Sequence, residues 1–205
     1  MTGMGTVLQQ LDREMGELVE GASKSLVQVR NSRGGAGAGS VWQANGLVIT
    51  NAHVVHDERP TVVLSDGREF SARVLARSKT HDIAALSIDA HDLASIPIGN
   101  SLDVEAGQWV MAIGHPWGMV NAATAGVIIG LESEFPDGGP GEHGEGKQWL
   151  AVNLPLRPGN SGGPLIDTEG RLIGINTMMS GPDIGMAVPV HEVKRFLNRE
   201  LKITA

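Results

Sequence analysis

The sequence predicts an all-β fold of two six-stranded antiparallel β-barrels, with a helix at each end of the chain. Three observations carry this. Short apolar runs with a two-residue period follow one another from about residue 25 to residue 189. Turn residues separate them, and glycine makes up 28 of the 205 residues. A helical period occurs only near the two termini.

Residues 6–20 place Val7, Leu8, Leu11, Met15, Leu18 and Val19 on one helical face. Thr6 and Gln9 fit a capping box, and Gly21 fits a stop. Strands are then expected over 25–30, 39–43, 47–50, 61–64, 69–76 and 83–88. Asn45-Gly46 predicts a hairpin of type I′, and Ser65-Asp66-Gly67-Arg68 a second hairpin. Residues 95–107 read as a connector containing Pro97, Gly99 and Gly107. Six more strands are expected over 109–113, 122–130, 149–152, 164–166, 172–178 and 185–189. Residues 190–201 close the chain as a helix with Val193, Phe196, Leu197 and Leu201 on one face. The expected organisation is a helical segment (1–24), a first barrel (25–96) and a second barrel with its helix (97–205), together one domain. Residues 131–147 hold five glycines, two prolines and five acids and read as a solvated surface loop, with a gating role as the alternative.

Composition narrows the chemistry. There is no cysteine, so disulfides, thiol nucleophiles and thiolate metal sites are excluded. A net charge of −7 without basic clusters argues against nucleic acid and anionic membranes as partners. The chain opens without a basic start or an apolar stretch, and no run of 18 apolar residues follows. A cytoplasmic protein without a membrane span is expected. His53 and His56 have a metal-like spacing but lack a third ligand, so no metal and no cofactor are expected.

The chemical signal lies in Pro158-Gly159-Asn160-Ser161-Gly162-Gly163-Pro164. Proline fixes φ and glycine tolerates φ > 0, so this backbone can turn sharply beside the serine. A hydroxyl held next to converging N–H groups suits acyl transfer. The hydroxyl attacks a carbonyl, and the N–H groups receive the developing oxyanion. Serine needs a base, and an imidazole titrates near neutral pH. Of seven histidines, His53 is best placed, at the end of the apolar run Leu47–Thr50 where a rigid strand meets a polar turn. Asp82, before the apolar run 83–88, is the candidate carboxylate to orient it. Each residue alone is as well explained by structure: a turn serine, a core histidine, a turn aspartate. Their order, His53, Asp82, Ser161, is the one the chymotrypsin type of triad follows.

Around these residues the chain resembles the HtrA/Deg family of trypsin-like serine endopeptidases. The resemblance rests on Thr50-Asn51-Ala52-His53-Val54-Val55, His81-Asp82-Ile83-Ala84-Ala85-Leu86 and Pro158–Leu165. It extends to Ala112–Gly118, Gly174–Thr177 and Gly185–Pro189. The resemblance implies a chymotrypsin-like fold, with His53 as base, Asp82 as its partner and Ser161 as nucleophile. It implies an oxyanion hole from the N–H groups of Gly159 and Ser161. It places a specificity pocket near Leu156, Arg157, Asn176, Met178, Ile184 and Met186. That pocket has no acid, so small to medium apolar side chains are expected before the scissile bond. Unfolded or misfolded polypeptides are the implied substrates. Monomer and trimer both stay open, because the first aromatic residue is Trp42 and the family's trimers use N-terminal aromatics. Family members usually continue into PDZ domains, whereas this sequence stops after the closing helix. His115 and Trp117 stand where the family more often has Asn and Phe.

Two rival readings fit parts of the same pattern. An α/β-hydrolase esterase would use Ser161, Asp183 and His191, but Pro164–Met178 reads as a hairpin rather than the helix its elbow needs. The other is a catalytically silent trypsin-like fold that binds peptides.

Overall fold

The computed structural model describes residues 3–32, 34–132, 148–181 and 183–204. All but the first two residues of the acidic 131–147 loop therefore lie outside the described residues. After helix α1 (Gly3–Ser23) come β1 (Leu26–Arg30), β2 (Ala36–Gln43), β3 (Leu47–Thr50), β4 (Thr61–Leu64), β5 (Glu69–Ser71), β6 (Arg73–Ser78) and β7 (Ile83–Ser87). These form one antiparallel sheet in the order β5-β4-β1-β2-β3-β7-β6. The strand expected over 69–76 breaks at Ala72, whose N–H donates to Pro60 O at 2.8 Å, so this sheet has seven strands. Ala72 alone joins β5 to β6, yet those strands stand at opposite edges. A single residue spans about 3.8 Å, so the sheet must curl until its edges meet.

The second half contains β8 (Trp109–Gly114), β9 (Ala122–Glu132), β10 (Trp149–Asn153), β11 (Pro164–Ile166), β12 (Leu172–Met179) and β13 (Ile184–Pro189). They close into a barrel in the order β10-β13-β12-β11-β8-β9. Helix α2 (Val190–Leu201) follows and ends on Lys202 in the left-handed conformation. The expected all-β, two-sheet fold with terminal helices is the one found.

Two local expectations differ. The hairpin at Asn45-Gly46 exists, but Gln43 pairs with Leu47 and only Gly46 has positive φ (92°). That is a three-residue loop with a left-handed glycine, not a type I′ turn, which needs φ > 0 twice. Helix α1 is also longer than predicted. Thr6 lies inside it rather than at its cap, and it runs through Gly21 to Ser23. Met15, Leu18, Val19 and Ala22 pack on the core, while Val7, Leu8 and Leu11 are exposed. The apolar stripe thus outruns the surface that the domain offers it.

Apolar burial holds the halves together. One cluster joins Leu26, Ile49 and Ile83 of the first sheet to Ile113, Ile166 and Leu172 of the barrel, with Phe196 and Leu197 of α2. Two further clusters fill the interior of each sheet. Each fully buried Leu or Ile contributes about 2 kcal/mol. No helix of the described residues is long and apolar enough to cross a membrane.

Candidate active site

The end of β3 delivers the histidine. Thr50 and Asn51 are buried, and Asn51 Nδ2 donates to Asp82 O at 2.9 Å, tying the segment after β3 to the turn before β7. Asp82 sits in that turn with φ 53°, a left-handed conformation that aspartate tolerates. Its carboxylate is nearly buried and accepts several hydrogen bonds. His53 N donates to Oδ1 at 3.0 Å, and His53 Nδ1 lies 2.8 Å from Oδ2. Thr177 Oγ1 makes a short hydrogen bond to Oδ2. Burial pushes this carboxyl up. The ring and charge of His53, the Thr177 hydroxyl and the His53 N–H outweigh burial and hold it below the usual carboxylate range. An ionised Asp82 fixes Nδ1 as the protonated nitrogen of His53 and leaves Nε2 free to accept a proton.

The serine comes from the barrel. Asn160 N donates to Arg157 O at 2.9 Å across Pro158 and Gly159, and Gly159 has φ 104°. Proline at the second position and φ > 0 at the third define a type II turn. Gly159 is required twice, because a Cβ there would stand 2.3 Å from His115 O. His115 N in turn donates to Gly159 O at 3.0 Å. The following residues are tied both to the first sheet, through Ala38 of β2, and within the barrel, through Asn176 of β12. Ala38 N donates to Ser161 O at 2.8 Å, and Gly162 N donates to Asn176 O at 2.8 Å. Ser161 Oγ donates to Thr177 O at 2.8 Å.

His53, Asp82 and Ser161 line one open cavity of about 610 Å³. The carboxylate–imidazole pair is therefore assembled, and the hydroxyl shares its cavity while turned onto a neighbouring carbonyl. Leu156, Arg157 and Met178 line the same cavity. Asn176, Ile184 and Met186 do not. Asn176 is fully buried and donates from Nδ2 to Pro164 O at 2.8 Å, and Met186 is a core residue. Ile184 is half-buried and packs against the core. The sequence reading missed Lys79, Trp149 and Met179, which also line the cavity; Pro158 and Thr177 line it within the ranges expected for the pocket wall, and Thr177 touches both Asp82 and Ser161. Thr177 follows Asn176 in the Gly174–Thr177 segment, so its place was readable but its double contact was not. The esterase alternative fails on geometry, because Pro164–Met179 is a β-hairpin and His191 Nδ1 lies 2.8 Å from buried Ser101 Oγ.

Comparison with known proteins agrees with this geometry. Residues 37–175 match the model of the trypsin-like peptidase domain. The chain is 38% identical over 166 residues to "Serine protease HTRA2, mitochondrial" of Drosophila virilis, covering 80% of this chain and 39% of that protein. The Drosophila erecta protein of the same name is 37% identical over the same length and shares. The chain thus spans about two-fifths of the length of the curated relatives it matches. The matched stretch contains the His53–Asp82 pair and the Ser161 turn, and on that basis the chain belongs to the trypsin-like peptidase family.

Proposed function

We propose that this chain is a serine endopeptidase that cleaves unfolded or misfolded polypeptides. The observation that carries the reading is the doubly bonded His53–Asp82 pair facing the same cavity as Ser161. In the reaction, Ser161 Oγ leaves Thr177 O and donates to His53 Nε2. His53 removes the proton as Oγ attacks the scissile carbonyl carbon. The N–H groups of Gly159 and Ser161 receive the oxyanion, which the type II turn orients for this purpose. His53 then passes its proton to the departing amine, leaving an acyl-enzyme. Water, deprotonated by His53, releases the acid and restores the serine.

Leu156, Met178 and Met179 make part of the cavity wall apolar, and apart from the paired His53 and Asp82 the ionisable groups lining it among the described residues are the cations Lys79 and Arg157. The reading therefore includes a preference for small to medium apolar side chains before the scissile bond. The chain acts as one unit in this scheme, with the boundaries at 24/25 and 96/97 dividing its helical segment and two sheets. A cysteine-free fold needs no oxidising compartment, which suits the cytoplasm.

Hydrolysis of unfolded casein tests the proposal. Ser161→Ala is expected to lower kcat on the order of 10⁶-fold, the scale of the subtilisin nucleophile. Undiminished hydrolysis in that variant overturns the assignment, and no hydrolysis by the native chain favours the silent peptide-binding alternative.

A further inference from the structure

The chain is acidic, with 23 Asp and Glu against 16 Lys and Arg. On its surface Arg30 holds Glu69, Arg68 holds Asp66, Arg171 holds Asp167 and Arg199 holds Glu200. The reaction cavity departs from this pattern. Lys79 and Arg157 line it and both are exposed. Neither makes an ion pair among the described residues. The one carboxylate in the lining, among the described residues, is Asp82, and its oxygens are taken up by His53 and Thr177. A substrate carboxylate entering this cavity meets two cations without anionic partners and no free anion.

The two cations come from the two halves. Lys79 follows β6, and Asp82 N donates to Lys79 O at 3.3 Å. The turn that presents Asp82 to His53 therefore also fixes the backbone of Lys79. Arg157 opens the type II turn before Ser161, and its N–H donates to Asn160 Oδ1 at 2.9 Å. Its guanidinium lies 6.0 Å from the Trp117 ring centroid, within cation–π range. Arg157 is thus engaged, whereas nothing among the described residues holds the Lys79 ammonium. A flexible four-carbon stem lets that compact charge follow a carboxylate. An extended substrate turns successive side chains to opposite faces. When one side chain fills the apolar wall of Leu156, Met178 and Met179, its neighbours face other parts of the lining, where the unengaged charge is that of Lys79.

We infer that Lys79 selects substrates with an Asp or Glu side chain next to the apolar residue that supplies the scissile carbonyl, so that acidic segments of unfolded polypeptide are the preferred substrates. The inference rests on the peptidase reading and adds charge to its apolar preference. The net charge of −7 repels an acidic substrate at long range. At physiological salt, however, exposed charges more than about 8 Å apart are largely screened, and a contact pair inside a cavity is screened much less. Lys79 therefore acts at contact, on the choice among sequences already bound, and not on the rate of encounter.

The test uses internally quenched peptides with Val at the scissile carbonyl, neutral flanks, and either Asp or Asn at the neighbour on each side. Asp and Asn match in shape and differ in charge, so the ratio of kcat/KM values, Asp over Asn, reads the charge alone. The native chain is expected to favour Asp on the order of threefold at one of the two positions, the scale of an exposed ion pair. Lys79→Gln is expected to bring that ratio near one, Lys79→Arg to keep it, and Lys79→Glu to push it below one by repulsion. The ratio cancels any effect of the substitution on His53 or on the turn, which acts on both peptides alike. A ratio of one or less at both positions in the native chain, or an unchanged ratio in Lys79→Gln, overturns this inference and leaves the peptidase reading standing. Absence of cleavage of every peptide by the native chain removes both.

Discussion

Asp82 holds His53 by both its backbone and its ring: the main-chain N–H meets Oδ1 at 3.0 Å and Nδ1 meets Oδ2 at 2.8 Å. One carboxylate thereby fixes both the position of the residue and the direction of its imidazole. The hydrogen bond from Thr177 to Oδ2 completes its shell. A buried carboxylate with several donors stays ionised, and only the ionised form can hold the imidazole in this tautomer.

Removal of a donor should be readable. Thr177→Val deletes the hydroxyl and keeps the shape. A hydrogen bond to a charged group is worth about 1.5–3 kcal/mol. Asp82 should then protonate at higher pH, and kcat should fall by about tenfold, a change of 1.4 kcal/mol in the barrier. A pH–kcat profile checks both, and an unchanged acid limb counts against the role given to Thr177.

The folded-state shift of Asp82 also sets a stability window. Its carboxyl lies lower in the folded chain than the ordinary value. The stabilisation it gives is complete above about pH 4, the unfolded range, and disappears as pH falls through the folded value. Denaturation midpoints measured from pH 5 downward should therefore fall more steeply in the native chain than in Asp82→Asn.

His115 acts in a different window. Burial pushes its imidazole down, with Arg30 adding to the effect against a raising contribution from Val27 O. The neutral form is the one the fold accepts, so stability is full above about pH 6.5 and declines as pH falls below it. His115→Asn should flatten the fall in Tm between about pH 7 and 5. His191 is also pushed down by burial, so part of the slope remains in the variant, and the difference between the two curves is the measured quantity.

Gly159 is predicted to be irreplaceable. Its φ of 104° and the 2.3 Å approach of a Cβ to His115 O both oppose alanine. Gly159→Ala should disturb the type II turn and its N–H. Loss of one oxyanion donor lowers kcat by about 10²–10³. Calorimetry distinguishes this from unfolding: a chain that keeps a cooperative transition but loses turnover fits the prediction, and near-native turnover contradicts it.

The sequence exposed the fold through local rules and the site through its spacing. Strand positions along the chain could be read because hairpin turns and two-residue periods are local. The break at Ala72 could not, since it depends on a bond to Pro60, which is distant in the chain. His53, Asp82 and Ser161 were legible because each sits where an apolar run meets a turn. The cavity wall was only half legible. Along β12, Asn176 points into the structure while Met178 and Met179 face the cavity, with the register shifting between Asn176 and Met178. A bulge of this kind changes which residues face outward, and the sequence gives no sign of it.

The most direct measurement is intact-mass analysis after treatment with a fluorophosphonate, which reacts with a serine only when a base activates it. The account predicts a single adduct on Ser161 in the native chain, slowed strongly in His53→Ala and absent in Ser161→Ala. An adduct that persists in Ser161→Ala, or a native chain that never reacts, contradicts it.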